Sequence, residues 1–113
     1  MKAPFRKSNN AAVLARDLRA AKDFYETVME LELVNFTDKQ LVFKTCDSFF
    51  YVIHDSDWTG TVLEFCVDDL DVARDRLVSK GCRIIKWERK GKDCYLKDPF
   101  GVIFNLWEEN TEK

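Results

Sequence analysis

The stretch Tyr95–Glu109, YLKDPFGVIFNLWEE, decides how the whole chain is read. Asp98 can accept hydrogen bonds from the backbone ahead of it, Pro99 fixes φ at the next position, and Gly101 supplies a permissive fourth one. The sequence therefore predicts two strands folded back around a tight turn. Beyond the turn, alternation places Val102, Phe104 and Leu106 on one face and Ile103, Asn105 and Trp107 on the other. The first face is wholly apolar. The second sets an amide between two large apolar groups and is read as the lining of a ligand cleft.

Working outward, Thr61–Val67 has strand character, and Asp69 is a good N-cap for a helix with Leu70, Ala73, Leu77 and Val78 on its apolar stripe. Gly81 stops that helix, and Arg83–Trp87, Cys94–Lys97 and Val102–Trp107 follow as strands. The same order stands upstream. A strand from Asn10 runs to Asp17, which caps a helix with Leu18, Ala21, Phe24, Tyr25, Val28 and Leu31 on its stripe. Leu33–Phe36, Leu41–Thr45 and Phe49–His54 then read as strands, and residues 1–9 as a loosely held arm. ARDLRAAKDF in the first half matches VDDLDVARDR in the second, with Asp17 and Asp69 in step, 52 positions apart. The pattern is an internal duplication of a βαβββ unit. Residues 1–113 are accordingly one domain, with a first module over 10–54, a connector over 55–60 and a second module over 61–109.

The fold class is α+β. One helix covers one face of a four-stranded sheet, and the other face needs something else against it. Two curved mixed sheets turned toward each other would enclose a cleft. Its lining would be Asn10, Ala12 and Leu14 from the first strand, and Phe49, Tyr51 and Ile53 from the fourth. The fifth strand would add Val62, Glu64 and Cys66, and the last one Asn105 and Trp107.

Composition narrows the classes. The 113 residues are 46% hydrophobic and 34% charged, as in a folded domain, and the net charge of −2 leaves no basic field for nucleic acid. No run approaches the roughly 20 apolar residues of a membrane span. MKAPFRKSNN lacks the apolar core of a signal peptide, and the four cysteines contain no C-x-x-C pair, so a cytoplasmic protein with reduced thiols is expected.

The repeated βαβββ unit, the Asp-Leu helix start followed by Phe24-Tyr25, and above all the closing DPFGVIFNLWEE resemble the glyoxalase/bleomycin-resistance/dioxygenase family, the vicinal oxygen chelate superfamily. The resemblance covers about residues 10–109. It implies that family's fold, and a divalent metal held by side chains on the first, fourth, fifth and eighth strands. Those positions fall here on Asn10, near Tyr51, on Val62 and on Asn105. None is a usual ligand, since Asn and neutral Tyr are poor donors and Val has none. No metal or other cofactor is therefore expected.

The remaining chemistry is sparse. His54, the single histidine, sits at a strand end beside Asp55 and reads as solvent-facing. Glu64 lies between core residues and should point into the cleft, where it would meet a cationic ligand group or a basic side chain. Arg16 reads as a surface ion-pair partner and WERKGKD (Trp87–Asp93) as a solvated hairpin. No Ser-His-Asp set, P-loop or dinucleotide fingerprint can be assembled. The resemblance then favours a metal-independent small-molecule-binding protein, like the family members that sequester antibiotics, working as a homodimer on a flat or apolar molecule with a cationic group. The residues expected to bind it are Asn10, Leu14, Phe49, Tyr51, Val62, Glu64, Asn105 and Trp107. The alternative is a metal-dependent lyase, isomerase or dioxygenase of the same superfamily.

Overall fold

The computed structural model describes residues 5–88 and 92–109. The chain packs as two compact units. One is Asn9–Val62, and the other consists of the described residues of Met1–Ser8 and Leu63–Lys113.

The first unit contains most of strand β1 (Arg6–Ala15), helix α1 (Leu18–Asp23), and strands β2 (Glu32–Phe36), β3 (Gln40–Thr45) and β4 (Ser48–His54). Its strands lie in the order β2-β3-β4-β1. β1 runs parallel to β4, and the β2/β3 and β3/β4 pairs are antiparallel. Asp17 caps α1 by accepting the Ala20 N–H at 3.0 Å. The core forms where the sheet meets α1: Leu41, Phe43 and Val52 are buried, with Val13, Leu18, Ala21 and Tyr25 packed against them. Phe43 is fully enclosed, a burial that contributes about 1.5–3 kcal/mol.

The second unit contains strand β5 (Gly60–Val67, from Leu63 on), helix α2 (Leu70–Ser79), and strands β6 (Arg83–Trp87), β7 (Cys94–Lys97) and β8 (Ile103–Glu108), in the order β5-β8-β7-β6. Asp69 caps α2 through the Val72 N–H at 3.0 Å, repeating the Asp17 cap. A second carboxylate helps, since Glu108 accepts the Leu70 N–H at 2.9 Å. The core lies between α2 and the sheet and includes Val67, Leu70, Ala73, Cys94, Leu96 and Leu106. Phe65 and Phe104 meet edge to face at 4.9 Å. Each unit also has a register shift in its outer hairpin, between Leu33 and Asn35 and between Ile84 and Lys86. Caps, strand order and bulges thus repeat between the units, as expected of a duplicated unit.

The closing turn is held by Asp98, whose carboxylate accepts the N–H groups of Phe100 (2.9 Å) and Val102 (2.8 Å). Gly81 ends α2 at φ 110°, and a Cβ there would come within 3.2 Å of the Pro99 ring. Glycine is needed on both counts. In this way the D-P-F-G turn seats against the end of α2.

Three expectations need correction. The segment before Asn10 is not a loose arm over its described part: β1 starts at Arg6, and Phe5 packs against the second unit's core. Arg6 itself reaches Asp68 at 3.1 Å and Glu109 at 3.3 Å, contacts that depend on distant residues and so leave no local pattern. Residues 1–4 lie outside the described residues.

The second correction concerns the first helix. After Asp23 it relaxes into a π-helical turn, Phe24–Val28, closed by the Met29 N–H on the Phe24 carbonyl at 3.2 Å. The wider turn rotates these residues off the 3.6-residue face. Phe24 and Val28, expected on the buried stripe, are 49% and 66% exposed, whereas Tyr25 stays on the sheet against Phe43 and Phe50. Third, Val78 on α2 is 43% exposed, because Leu77 alone occupies the core side of that last turn. The tip of the hairpin in WERKGKD, residues 89–91, lies outside the described residues.

Candidate functional site

Each sheet has one face on its helix and one face free of it, and the strand alternation sorts the candidate residues onto the helix-free faces. In the first unit, Val13 and Val52 point to the α1 core, so Asn10, Leu14, Tyr51 and Phe49 belong to the opposite face. Leu14 is buried, Asn10 and Tyr51 are half-buried, and Phe49 is 39% exposed with Lys44 Nζ 5.9 Å from its ring centre. In the second unit, Phe65, Val67 and Leu106 face α2, which turns Glu64, Cys66, Asn105 and Trp107 the other way. Val62, the last residue of the first unit, is 2% exposed.

The two asparagines make matching contacts. The Asn10 side-chain oxygen accepts the Phe49 N–H at 3.0 Å, and the Asn105 side-chain oxygen accepts the Cys94 N–H at 3.2 Å. Both lie at the end of a strand pairing. The β1/β4 register begins at Ala11 and Phe50, one step beyond Asn10 and Phe49, and the β7/β8 register ends at Tyr95 and Asn105, one step short of Cys94. In each case a side chain supplies the acceptor that the next backbone carbonyl would otherwise give.

This bears on the metal that the resemblance implies. The four corresponding positions offer two amide oxygens already engaged with backbone N–H groups, a phenol and an isopropyl group. Those residues do not fit a divalent transition metal, which takes thiolate, imidazole or carboxylate donors. Among the described residues, no group of three or more His, Cys, Asp or Glu side chains is placed to hold a metal ion. His54 is exposed at the end of β4, and Arg16 is exposed beyond β1.

The helix-free face of the second unit carries the charge. Glu64 is half-buried, and its carboxylate has no hydrogen bond or ion pair to the side chain of another described residue. Burial pushes the Cys66 thiol pKa up, the charges of Glu109 and then Glu64 push it further, and Arg6 opposes them. Trp107 is 43% exposed on the same face. Lys86 lies there too, with its ammonium 3.1 Å from Asp93 and 5.9 Å from the centre of the Tyr95 ring. The sequence reading missed Lys86, although its alternation with the core residue Trp87 was available as a signal.

No family model matches this sequence, and no curated protein matches it. Solved structures do. A hypothetical protein from Bacillus halodurans C-125 is similar over 100% of this chain and 99% of its own, with 12% identity and a TM-score of 0.62. Streptomyces coelicolor methylmalonyl-CoA epimerase, in complex with 2-nitronate-propionyl-CoA, is similar over 91% of this chain and 96% of its own, at 18% identity and a TM-score of 0.61. An extradiol ring-cleaving dioxygenase from B. fuscum gives 18% identity and a TM-score of 0.64 over 97% of this chain, which spans 34% of the dioxygenase. Together with the duplicated βαβββ units and the D-P-F-G hairpin, this likeness establishes the architecture: the chain has the fold of the glyoxalase/bleomycin-resistance/dioxygenase superfamily.

Proposed function

We propose that this chain is a metal-independent small-molecule-binding protein, in the manner of the antibiotic-sequestering members of the superfamily it resembles. It takes a flat, largely apolar ligand whose cationic group meets Glu64 and whose ring system lies on Trp107. The observation that carries this reading is the state of Glu64. A half-buried carboxylate without a basic partner among the described residues favours a cation brought from outside, because a charge held away from water gains most from a counter-charge. Trp107 on the same face offers the aromatic surface that such ligands prefer. Asn105 contributes its amide N–H2, its oxygen being engaged with Cys94. In the unit Asn9–Val62, the residues Asn10, Leu14, Phe49, Tyr51 and Val62 are proposed as ligand-binding as well.

Sequestration needs affinity without turnover, so it tolerates the replacement of every metal-binding position. A lyase, isomerase or dioxygenase acting on a chelated substrate would need donors that the engaged amides and Val62 do not supply. The protein is proposed to act in the cytoplasm as a homodimer, and no helix of the described residues is long and apolar enough to cross a membrane.

Elemental analysis of protein purified without chelators tests the reading. Zinc, iron, manganese and nickel are expected well below one per chain. One tightly held metal per chain would overturn it. Sedimentation at micromolar concentration is expected to give a dimer, and a monomer would remove the homodimer from the proposal.

A further inference from the structure

The unit Asn9–Val62 has a second concave feature, lying between the π-helical exit of α1 and the β3–β4 turn. It is a depression of about 260 Å³, open on one side and walled by Tyr25, Met29, Leu31 and Phe50. Thr45 and Ser48 stand at its edge with their hydroxyl oxygens 3.4 Å apart, and none of the lining residues is charged. Its size falls between an apolar cavity of about 150 Å³ that holds benzene and the roughly 300–1,000 Å³ of drug-sized sites.

The backbone around it is unusual. Among the described residues, the two non-glycine positions with positive φ are Glu30 (55°) and Cys46 (40°). Glu30 lies between the lining residues Met29 and Leu31, and Cys46 directly follows the lining residue Thr45. Left-handed backbone at such residues is costly, about 1–2 kcal/mol, and persists where the surrounding structure fixes it. The corresponding helix end in the second unit uses Gly81 instead. The π-helical turn is a third departure from regular geometry at the same place, and it leaves Met29, an adaptable apolar side chain, 51% exposed at the depression.

We propose that this depression, which meets the first unit's helix-free face at Phe49, is a second ligand site for a small neutral aromatic molecule of one or two rings. The ring fills the space between Tyr25, Met29 and Phe50, and its single polar group bonds the Thr45 and Ser48 hydroxyls. The absence of charge in the lining selects a neutral molecule, in contrast to the cation proposed for Glu64. Phe49 borders both, but Tyr25, Met29, Thr45 and Ser48 have no part in the reading of Glu64, so the two fail separately.

The test is a titration of the full chain with indole, followed through its backbone amide NMR spectrum. Saturable shifts are expected at Leu31, Thr45 and Ser48. Met29→Trp, which fills the depression from a half-exposed position, should weaken the binding by about tenfold or more, and Glu64→Gln should leave it unchanged. Thr45→Val, which removes one hydroxyl at similar volume, is the second variant and should weaken indole several-fold even if Met29→Trp disturbs the fold. Three outcomes would overturn the proposal. The shifts could stay linear to the solubility limit, or persist undiminished in Thr45→Val and in a folded Met29→Trp. The same amides could also shift with protein concentration alone, which would assign the face to a second copy of the chain.

Discussion

The side-chain oxygen of Asn105 accepts the backbone N–H of Cys94 at 3.2 Å, continuing the β7/β8 pairing where the backbone ladder stops. Cys94 is fully buried, so its N–H needs an acceptor from the protein. At the eighth-strand position where the superfamily resemblance implies a metal ligand, this chain uses its polar atom for structure. Asn105→Ala should therefore destabilise the fold by about 1–3 kcal/mol, the cost of a buried donor left unmade. Asn10→Ala, whose bond to Phe49 is more exposed, should cost about 0.5–1.5 kcal/mol. Urea denaturation of both variants checks the order; equal and negligible losses would contradict it.

The carboxylates on the helix-free face of the second unit should be readable through Cys66. Its thiol titrates above the ordinary range because of burial first, then the charges of Glu109 and Glu64. Removing a negative charge favours the thiolate and lowers that pKa. Glu64→Gln should accordingly speed alkylation of Cys66 by iodoacetamide at pH 7.5, and Glu109→Gln should speed it more. Peptide-level mass spectrometry separates Cys66 from the exposed Cys46 and the buried Cys82 and Cys94. An unchanged or slower rate in Glu64→Gln would show that its carboxylate does not act on this face.

The π-helical turn predicts opposite consequences for adjacent aromatics. Phe24 is 49% exposed, while Tyr25 packs on Phe43 and Phe50 with ring centres 6.0 and 5.0 Å away. Phe24→Ala should cost under about 1 kcal/mol and Tyr25→Ala about 3 kcal/mol or more, measured as shifts in denaturation midpoint. A regular α-helix through Val28 would reverse none of the sequence chemistry, yet would bring Phe24 and Val28 toward the core and raise their costs.

Most of the architecture was legible in the sequence because it rests on local chemistry repeated twice. Asp17 and Asp69 announce the helices, the alternation of β1, β4, β5 and β8 sorts core from helix-free face, and Asp98, Pro99 and Gly101 mark the closing turn. What was not legible depends on departures from regular period or on distant partners. The π-helical turn has no composition of its own, so the stripe through Phe24 and Val28 looked regular. The strand at Arg6–Asn9 is polar and is fixed by Asp68 and Glu109, more than sixty residues away in the chain. Asn10 and Asn105 could be singled out by position, but their bonds to Phe49 and Cys94 follow from where each ladder ends.

The most direct test of the central claim is a fluorescence titration with ethidium, a flat aromatic cation, carried out in excess EDTA and extended to a panel of related cations. Saturable binding by at least one member is predicted, unaffected by the chelator and weakened about tenfold or more by Glu64→Gln or Trp107→Ala. Binding that vanishes in EDTA and returns with a divalent metal, or that is equally tight in both variants, would contradict it.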